Sequence, residues 1–474
     1  MTPVNPFKYL ILYIPFIIAW ATAAQPHFSY LVAWGGSFFI FFISYSDMIK
    51  KLPKDLKTLE QFLRPIYLVQ IIFAGYMSCT SIFYYLNAVG YQYFNFLGPK
   101  FGLDPLLFDN IAECQRYYVL GHAALVTGML AKMRYPIQLE FKLHTPSMSN
   151  LLLGISLVSL PLAFLMKQVG ALSQFSIQLD GLSFVSGTIA LAFAIKEQKR
   201  VNLYLSLILF GANLLKSVTS GFKEPIIVCV MLLGVFLLPV YGRKIIPVFG
   251  ALMIGLFFIL PTFIGNFRSA ANLTEGHDLA LARDQSINTL LNDQNLEQNL
   301  KEDNWEFLIT RISEIDMFIK FTRSTPRYVP YYNFDIVSDA LKSAVPRFLW
   351  PWKPDMETLI MERSYAAKVV DRSSYVSAKP AYIVDCYLSY GIIGVWIGLF
   401  LYGYFAQWLS QKAEALFGGY FMGTAVVFTG LFQIFWRGNS MEILVNNIFW
   451  SFIGMYIISE VFRMRNILER TVRN

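Results

Sequence analysis

Arg347 and Lys353 sit in the segment Val345-Pro346-Arg347-Phe348-Leu349-Trp350-Pro351-Trp352-Lys353-Pro354, where three prolines forbid a continuous helix. Each proline lacks an N–H and pushes the residue before it toward extended backbone, so both cations ride on a stiff framework. Stiffly held guanidinium and ammonium groups suit phosphate oxygens, and the planar fork of arginine binds them bidentately. Trp350 and Trp352 beside them can stack on sugar rings, although an interfacial aromatic belt is the blander reading of any single one.

Four more cations belong to the same chemical class. Lys223 stands in Ser220-Gly221-Phe222-Lys223-Glu224-Pro225, Arg268 in Gly265-Asn266-Phe267-Arg268, Arg437 in Trp436-Arg437-Gly438-Asn439-Ser440, and Arg311 in a polar insertion. Snorkelling anchors at helix ends are the alternative for Lys223 and Arg437. A proton acceptor near such cations would be a carboxylate or imidazole, and the candidates are Glu224, Asp385 and His277. Glu224 could equally be an acid favoured by a helix N-terminus, and Asp385, one turn into an apolar run, demands a partner that could be purely structural.

The elements that must position these groups are membrane spans. The chain has 474 residues, 55% hydrophobic, 16% aromatic and 15% charged, with a mean hydropathy of +0.48, which excludes a soluble globular domain. A span needs about 20 mostly apolar residues. Such runs are expected near 9–24, 27–46, 66–89, 115–131, 150–167, 181–196, 201–218, 225–241, 246–264, 381–407, 417–436 and 441–461. The expected fold is therefore an all-α integral membrane protein of about 12 transmembrane helices, with one long, partly helical loop between the ninth and tenth. This divides the chain into an N-terminal bundle (1–264), the loop (265–380), and a C-terminal bundle with a basic tail (381–474). Tyr9 to Trp20 followed by Ala21-Thr22-Ala23-Ala24 has the outline of a signal peptide, but Lys8 alone precedes it, which favours a retained first span.

Charge sets the orientation. Lys50, Lys51, Lys54, Lys57 and Arg64; Lys132, Arg134 and Lys142; Lys196, Lys199 and Arg200; Arg243 and Lys244; and Arg463, Arg465, Arg470 and Arg473 fall on alternate connections. The positive-inside rule then puts both termini in the cytoplasm and 265–380 outside. The net charge of +8 is thus topogenic, and no nucleic-acid partner is expected. Cys79, Cys114, Cys229 and Cys386, like His27, His122, His144 and His277, are scattered without metal-ligand spacing, so neither a metal nor another cofactor is expected.

Within the insertion, Trp305, Leu308, Ile309, Ile312, Ile315, Phe318, Ile319 and Thr322 recur at helical spacing, predicting one amphipathic helix over 304–323 with Arg311, Glu314 and Lys320 off its apolar stripe. A tyrosine-rich stretch, Tyr328 to Tyr332, leads to a short helix at about 335–344 and then to the Pro-Arg segment. Tyr331 and Tyr332 join the candidate sugar contacts.

Arg311 in an amphipathic helix, the turn at Pro326 and Pro330-Tyr331-Tyr332, Pro346-Arg347-x-x-x-Pro351-x-Lys353-Pro354, and Asp385-Cys386-Tyr387-Leu388-Ser389-Tyr390-Gly391-Ile392-Ile393-Gly394 follow one another in an order that resembles the Wzy-type O-antigen and exopolysaccharide repeat-unit polymerases. The resemblance covers the C-terminal half. It implies a GT-C-like glycosyltransferase of the bacterial inner membrane with a large periplasmic loop. Polyprenyl-diphosphate-linked oligosaccharides would be donor and acceptor, with membrane lipids and a chain-length regulator as further partners. Lys223, Arg268, Arg311, Arg347, Lys353 and Arg437 would then hold the diphosphate leaving group. An O-antigen ligase or a lipid-linked oligosaccharide flippase is the alternative, although a flippase usually shows internal repeats and cations buried midway along several spans.

Overall fold

The computed structural model describes residues 5–98, 105–170, 172–219, 224–273, 284–289, 296–347, 349–373, 378–437 and 439–471. It is an all-α membrane protein. Helices lie over the apolar runs of the N-terminal part: α1 (Pro6–Ala21), α2 (Pro26–Tyr45), α3 (Leu68–Val89), α4 (Pro105–Lys132), α5 (Met148–Gln168), α6 (Ser173–Glu197), α7 (Arg200–Thr219), α8 (Glu224–Tyr241) and α9 (Ile245–Leu273). The insertion supplies α10 (Leu296–Phe307), α11 (Ile315–Ser324), α12 (Asp335–Ser343) and α13 (Met356–Ala366). The chain then closes with α14 (Tyr382–Leu416), α15 (Tyr420–Leu431) and α16 (Met441–Met464). Among the described residues seven helices are long and apolar enough to cross a membrane, and α1, α15 and the core of α8 are apolar but shorter.

α4 and α14 form the central pair. Gly128 lies against the carbonyl of Phe400 and Gly403 against that of Leu125, so the two backbones touch where any side chain would hold them apart. Around this contact are Leu125, Val126, Leu399 and Ala406, all buried. α4 starts at Pro105, well before the expected 115, because proline at a first helical turn sacrifices no hydrogen bond and the added turns bury Leu107, Phe108, Ile111 and Cys114.

Three expected helices are redrawn. The amphipathic stretch 304–323 is two helices rather than one: α10 widens into a π turn over Leu308–Ile312, and the backbone breaks at Glu314, which is left-handed (φ 52°). The carbonyl of Ser313, freed by this break, accepts a hydrogen bond from Tyr118 Oη at 2.7 Å, so a packed partner on α4 replaces the intrahelical bond. α14 runs 35 residues, beyond the expected 381–407, with a kink at Tyr390 and Gly391, where Gly391 (φ 57°) makes room for the Tyr331 ring. The expected run 417–436 is interrupted after Leu431 and resumes as one turn, Ile434–Arg437.

Loop contacts separate into two ends. At one end Arg64 meets Glu414, Lys412 meets Glu140, Lys50 caps Leu130, Ser147 bonds Glu197, and a two-stranded antiparallel ladder pairs Phe141 with Arg470 and Leu143 with Leu468. At the other, Trp305 donates to Asn87, Tyr84 to Asp316, and Ser343 to the carbonyl of Glu442. Each set of bonds thus ties together parts of the chain that are far apart in sequence.

Candidate functional site at the insertion end of the bundle

The insertion docks on the start of α14 through backbone bonds: Tyr332 N donates to Leu388 O at 2.9 Å and Asn333 N to Ser389 O at 3.1 Å. α12 packs along α16, where Trp450 Nε1 reaches the carbonyl of Ala344 at 3.0 Å. The Pro-Arg segment is thereby carried to the mouth of the gap between α6 and α16.

There, a cleft of about 180 Å³ is lined by Ser173 and Gln174 at the start of α6, by Asn446 on α16, and by Arg347, Lys353 and Asp355 from the insertion. The Arg347 side chain is half exposed; its Nη1 donates to the Lys353 carbonyl at 3.2 Å and its Nη2 lies 4.0 Å from Asp355. Lys353 is buried and its ammonium donates to the carbonyls of Ser343 (2.6 Å) and Val345 (2.9 Å). It thus caps the C-terminus of α12, where a cation offsets the helix dipole. Burial, reinforced by Arg347, pushes the Lys353 pKa below the usual lysine value. Asp355 N-caps α13 through Thr358 N at 3.0 Å, and its bond from the Thr358 hydroxyl does most to hold its carboxyl below the usual range.

Trp350 is half-buried, whereas Trp352 is 79% exposed. Tyr331 meets Tyr387 edge to face with ring centroids 6.0 Å apart, and Tyr387 in turn lies 5.0 Å from Tyr117. Tyr332 is half-buried.

Behind the cleft is a buried ionic triad. Arg363 on α13 donates to both carboxylate oxygens of Glu442 at 2.5 and 2.9 Å and lies 3.3 Å from Asp385 Oδ1. Asp385 Oδ2 accepts the backbone N–H of Met441 at 2.7 Å, which caps the start of α16. All three side chains are at most 5% exposed. Burial opposes the charge on Arg363, but Asp385 and Glu442 more than offset this and raise its pKa. Asp385, fully buried, is thus tied to Arg363 on α13 and to the start of α16.

Of the six expected diphosphate ligands, Arg347 and Lys353 line this cleft together. Arg311 does not; its side chain is exposed on the π turn, whose carbonyl accepts from Tyr76. Lys223 and His277 lie outside the described residues, as do the side chains of Glu224, Arg268 and Arg437. Among the described residues no group of three or more His, Cys, Asp or Glu could hold a metal ion.

Arg363, Glu442, Gln174 and Asn446 escape a reading of the sequence. A signal for the first two exists, since acids such as Asp385 and Glu442 at the starts of apolar runs require a cation. Glu113 is a further partly exposed acid at this end, accepting from Tyr117 Oη at 2.7 Å beside the tyrosine cluster.

Comparison with curated proteins and with solved structures gives no match. A family model does match residues 14–470, nearly the whole chain. Its description is "Domain of unknown function (DUF8712)", and the protein belongs to that family.

Proposed function

We propose that the protein is a membrane glycosyltransferase that polymerises polyprenyl-diphosphate-linked oligosaccharide repeat units at the periplasmic face of the bacterial inner membrane. In this reading the twelve helices α1 to α9 and α14 to α16 are spans, both termini are cytoplasmic, and the 265–380 insertion lies outside. The distribution of lysine and arginine supports that orientation, because the loop set containing Arg64, Lys132, Lys142 and Arg470 is the cation-rich one.

The observation that carries the reading is the placement of Arg347 and Lys353 in one cleft at the insertion end of the helices. A lipid diphosphate leaving group brings about two negative charges to a low-dielectric boundary, where preorganised cations stabilise it far more than water does. In the reaction a hydroxyl oxygen of the acceptor unit forms a bond to the anomeric carbon of the donor. The bond from that carbon to the diphosphate breaks, its electron pair leaving on the diphosphate oxygen held by Arg347 and Lys353. The hydroxyl proton passes to Glu224 or to water at the cleft mouth. Asp385, through Arg363, positions α13 and α16 on either side.

Purified protein in lipid discs, given lipid-linked repeat units, should lengthen the glycan, and Arg347→Ala should reduce elongation at least about 100-fold without loss of expression. Transfer onto lipid A core alone would instead make it a ligase. Translocation without new glycosidic bonds would make it a flippase.

A further inference from the structure

The cleft contains more than charge. Gln174 Nε2 and Asn446 Oδ1 line it, both are shielded from solvent, and neither has a hydrogen-bond partner among the described residues. A buried amide donor or acceptor left without a partner is costly, so two such atoms facing one small cleft call for an occupant. They are not needed to hold α6 and α16 together. One turn deeper Gln178 Nε2 already donates to Asn447 Oδ1 at 3.2 Å, and beside them Phe175 packs edge to face on Trp450 at 4.7 Å. This amide bridge and this aromatic contact hold the helix pair, while Gln174 Nε2 and Asn446 Oδ1, nearer the opening, have no partner among the described residues.

We infer that Gln174 and Asn446 form a subsite that reads the hydroxyl or acetamido groups of the sugar attached to the diphosphate held by Arg347. This rests on the reading of the cleft as a diphosphate site. The chemistry is complementary: one amide offers a donor and the other an acceptor, and adjacent sugar substituents supply an acceptor and a donor on one edge of the ring. Ser173, at the same helix start, adds a hydroxyl to the lining. A site built on buried polar groups rejects a ligand that lacks their partners more strongly than an apolar pocket rejects a missing methylene. The pair therefore selects which sugar sits at the anomeric position.

The test is binding to the full chain in lipid discs, comparing farnesyl diphosphate with a panel of farnesyl-diphosphate-linked hexoses and N-acetylhexosamines. At least one sugar-bearing probe should bind about 10-fold more tightly than farnesyl diphosphate. Gln174→Ala and Asn446→Ala should each remove most of that ratio while leaving farnesyl diphosphate affinity unchanged. Gln174→Glu, nearly isosteric, repeats the measurement should the alanine variant lose folding. A ratio that survives in these variants, or a panel in which no sugar improves on the bare diphosphate, overturns the subsite and leaves the diphosphate reading standing. Absence of binding by every probe, farnesyl diphosphate included, overturns both.

Discussion

Arg363 stands between two acids that belong to different helices: its Nη2 is 2.9 Å from Glu442 Oε2 on α16 and 3.3 Å from Asp385 Oδ1 on α14. One guanidinium thus serves two buried carboxylates. The grip on Glu442 is bidentate, while Asp385 Oδ1 is close enough for an ion pair but not aligned as a hydrogen bond. A polar helix of the insertion is thereby locked to the start of two apolar helices, which sets the wall of the cleft.

Removing the cation should leave two uncompensated acids in a buried site. Arg363→Met is expected to destabilise the protein by about 3–5 kcal/mol, the usual cost of orphaning a buried charge. The triple variant Arg363→Met, Asp385→Asn, Glu442→Gln should recover part of that loss, because neutral amides no longer repel. Thermal unfolding in detergent measures both. A single variant as stable as the parent would show that the triad carries no structural weight.

Much of this architecture is legible in the sequence, and the reason is periodicity. Apolar runs mark where α1 to α9 and α14 to α16 lie, seven of them long and apolar enough to cross a membrane among the described residues, and the helix of residues 335–343 follows from its own pattern. The breaks are less readable. Glu314 and Gly391 interrupt their helices for a partner far away in the chain, Tyr118 and Tyr331 respectively, and no local propensity announces it. The site is half legible for the same cause: Arg347 and Lys353 are flagged by their prolines, whereas Gln174 and Asn446 acquire meaning only when α6 and α16 meet.

Lys353 and Arg347 should separate in their effects. Lys353→Met loses two carbonyl partners at the end of α12 and is expected to cost about 1–2 kcal/mol of stability in addition to weakening diphosphate binding. Arg347→Met, half exposed and bonded to a single carbonyl, should weaken binding while the unfolding midpoint stays within a degree or two. Equal unfolding losses in the two variants would contradict the capping role assigned to Lys353.

The α4–α14 contact offers a test with an internal control. At Gly128 and Gly403 a methyl group would strike a facing carbonyl, so Gly128→Ala and Gly403→Ala should each destabilise by about 1–3 kcal/mol. Gly154, on α5, has open space around its Cα, and Gly154→Ala should be neutral or slightly stabilising. Denaturation in mild detergent distinguishes them, and three indistinguishable variants would mean that the close crossing is not what holds the central pair.

The opposite end of the bundle should be acid-sensitive. Arg64 is buried, bonds both carboxylate oxygens of Asp55 at 2.7 Å, and donates to Glu414 at 3.1 and 3.2 Å, with the Tyr135 ring 4.3 Å beneath it. The Arg64 hydrogen bonds hold the Asp55 carboxyl below its ordinary value of 3.8. A carboxylate with a depressed folded pKa is bound to fewer protons in the folded than in the unfolded chain, so its stabilisation is present in full above about pH 4 and disappears as pH falls through the lower, folded value. Asp55→Asn should therefore be less stable than the parent at pH 7, and the gap should close only on acidification below about pH 4. A difference between the two proteins that stays constant from pH 7 to pH 3 would show that the Asp55 charge contributes nothing to this clamp.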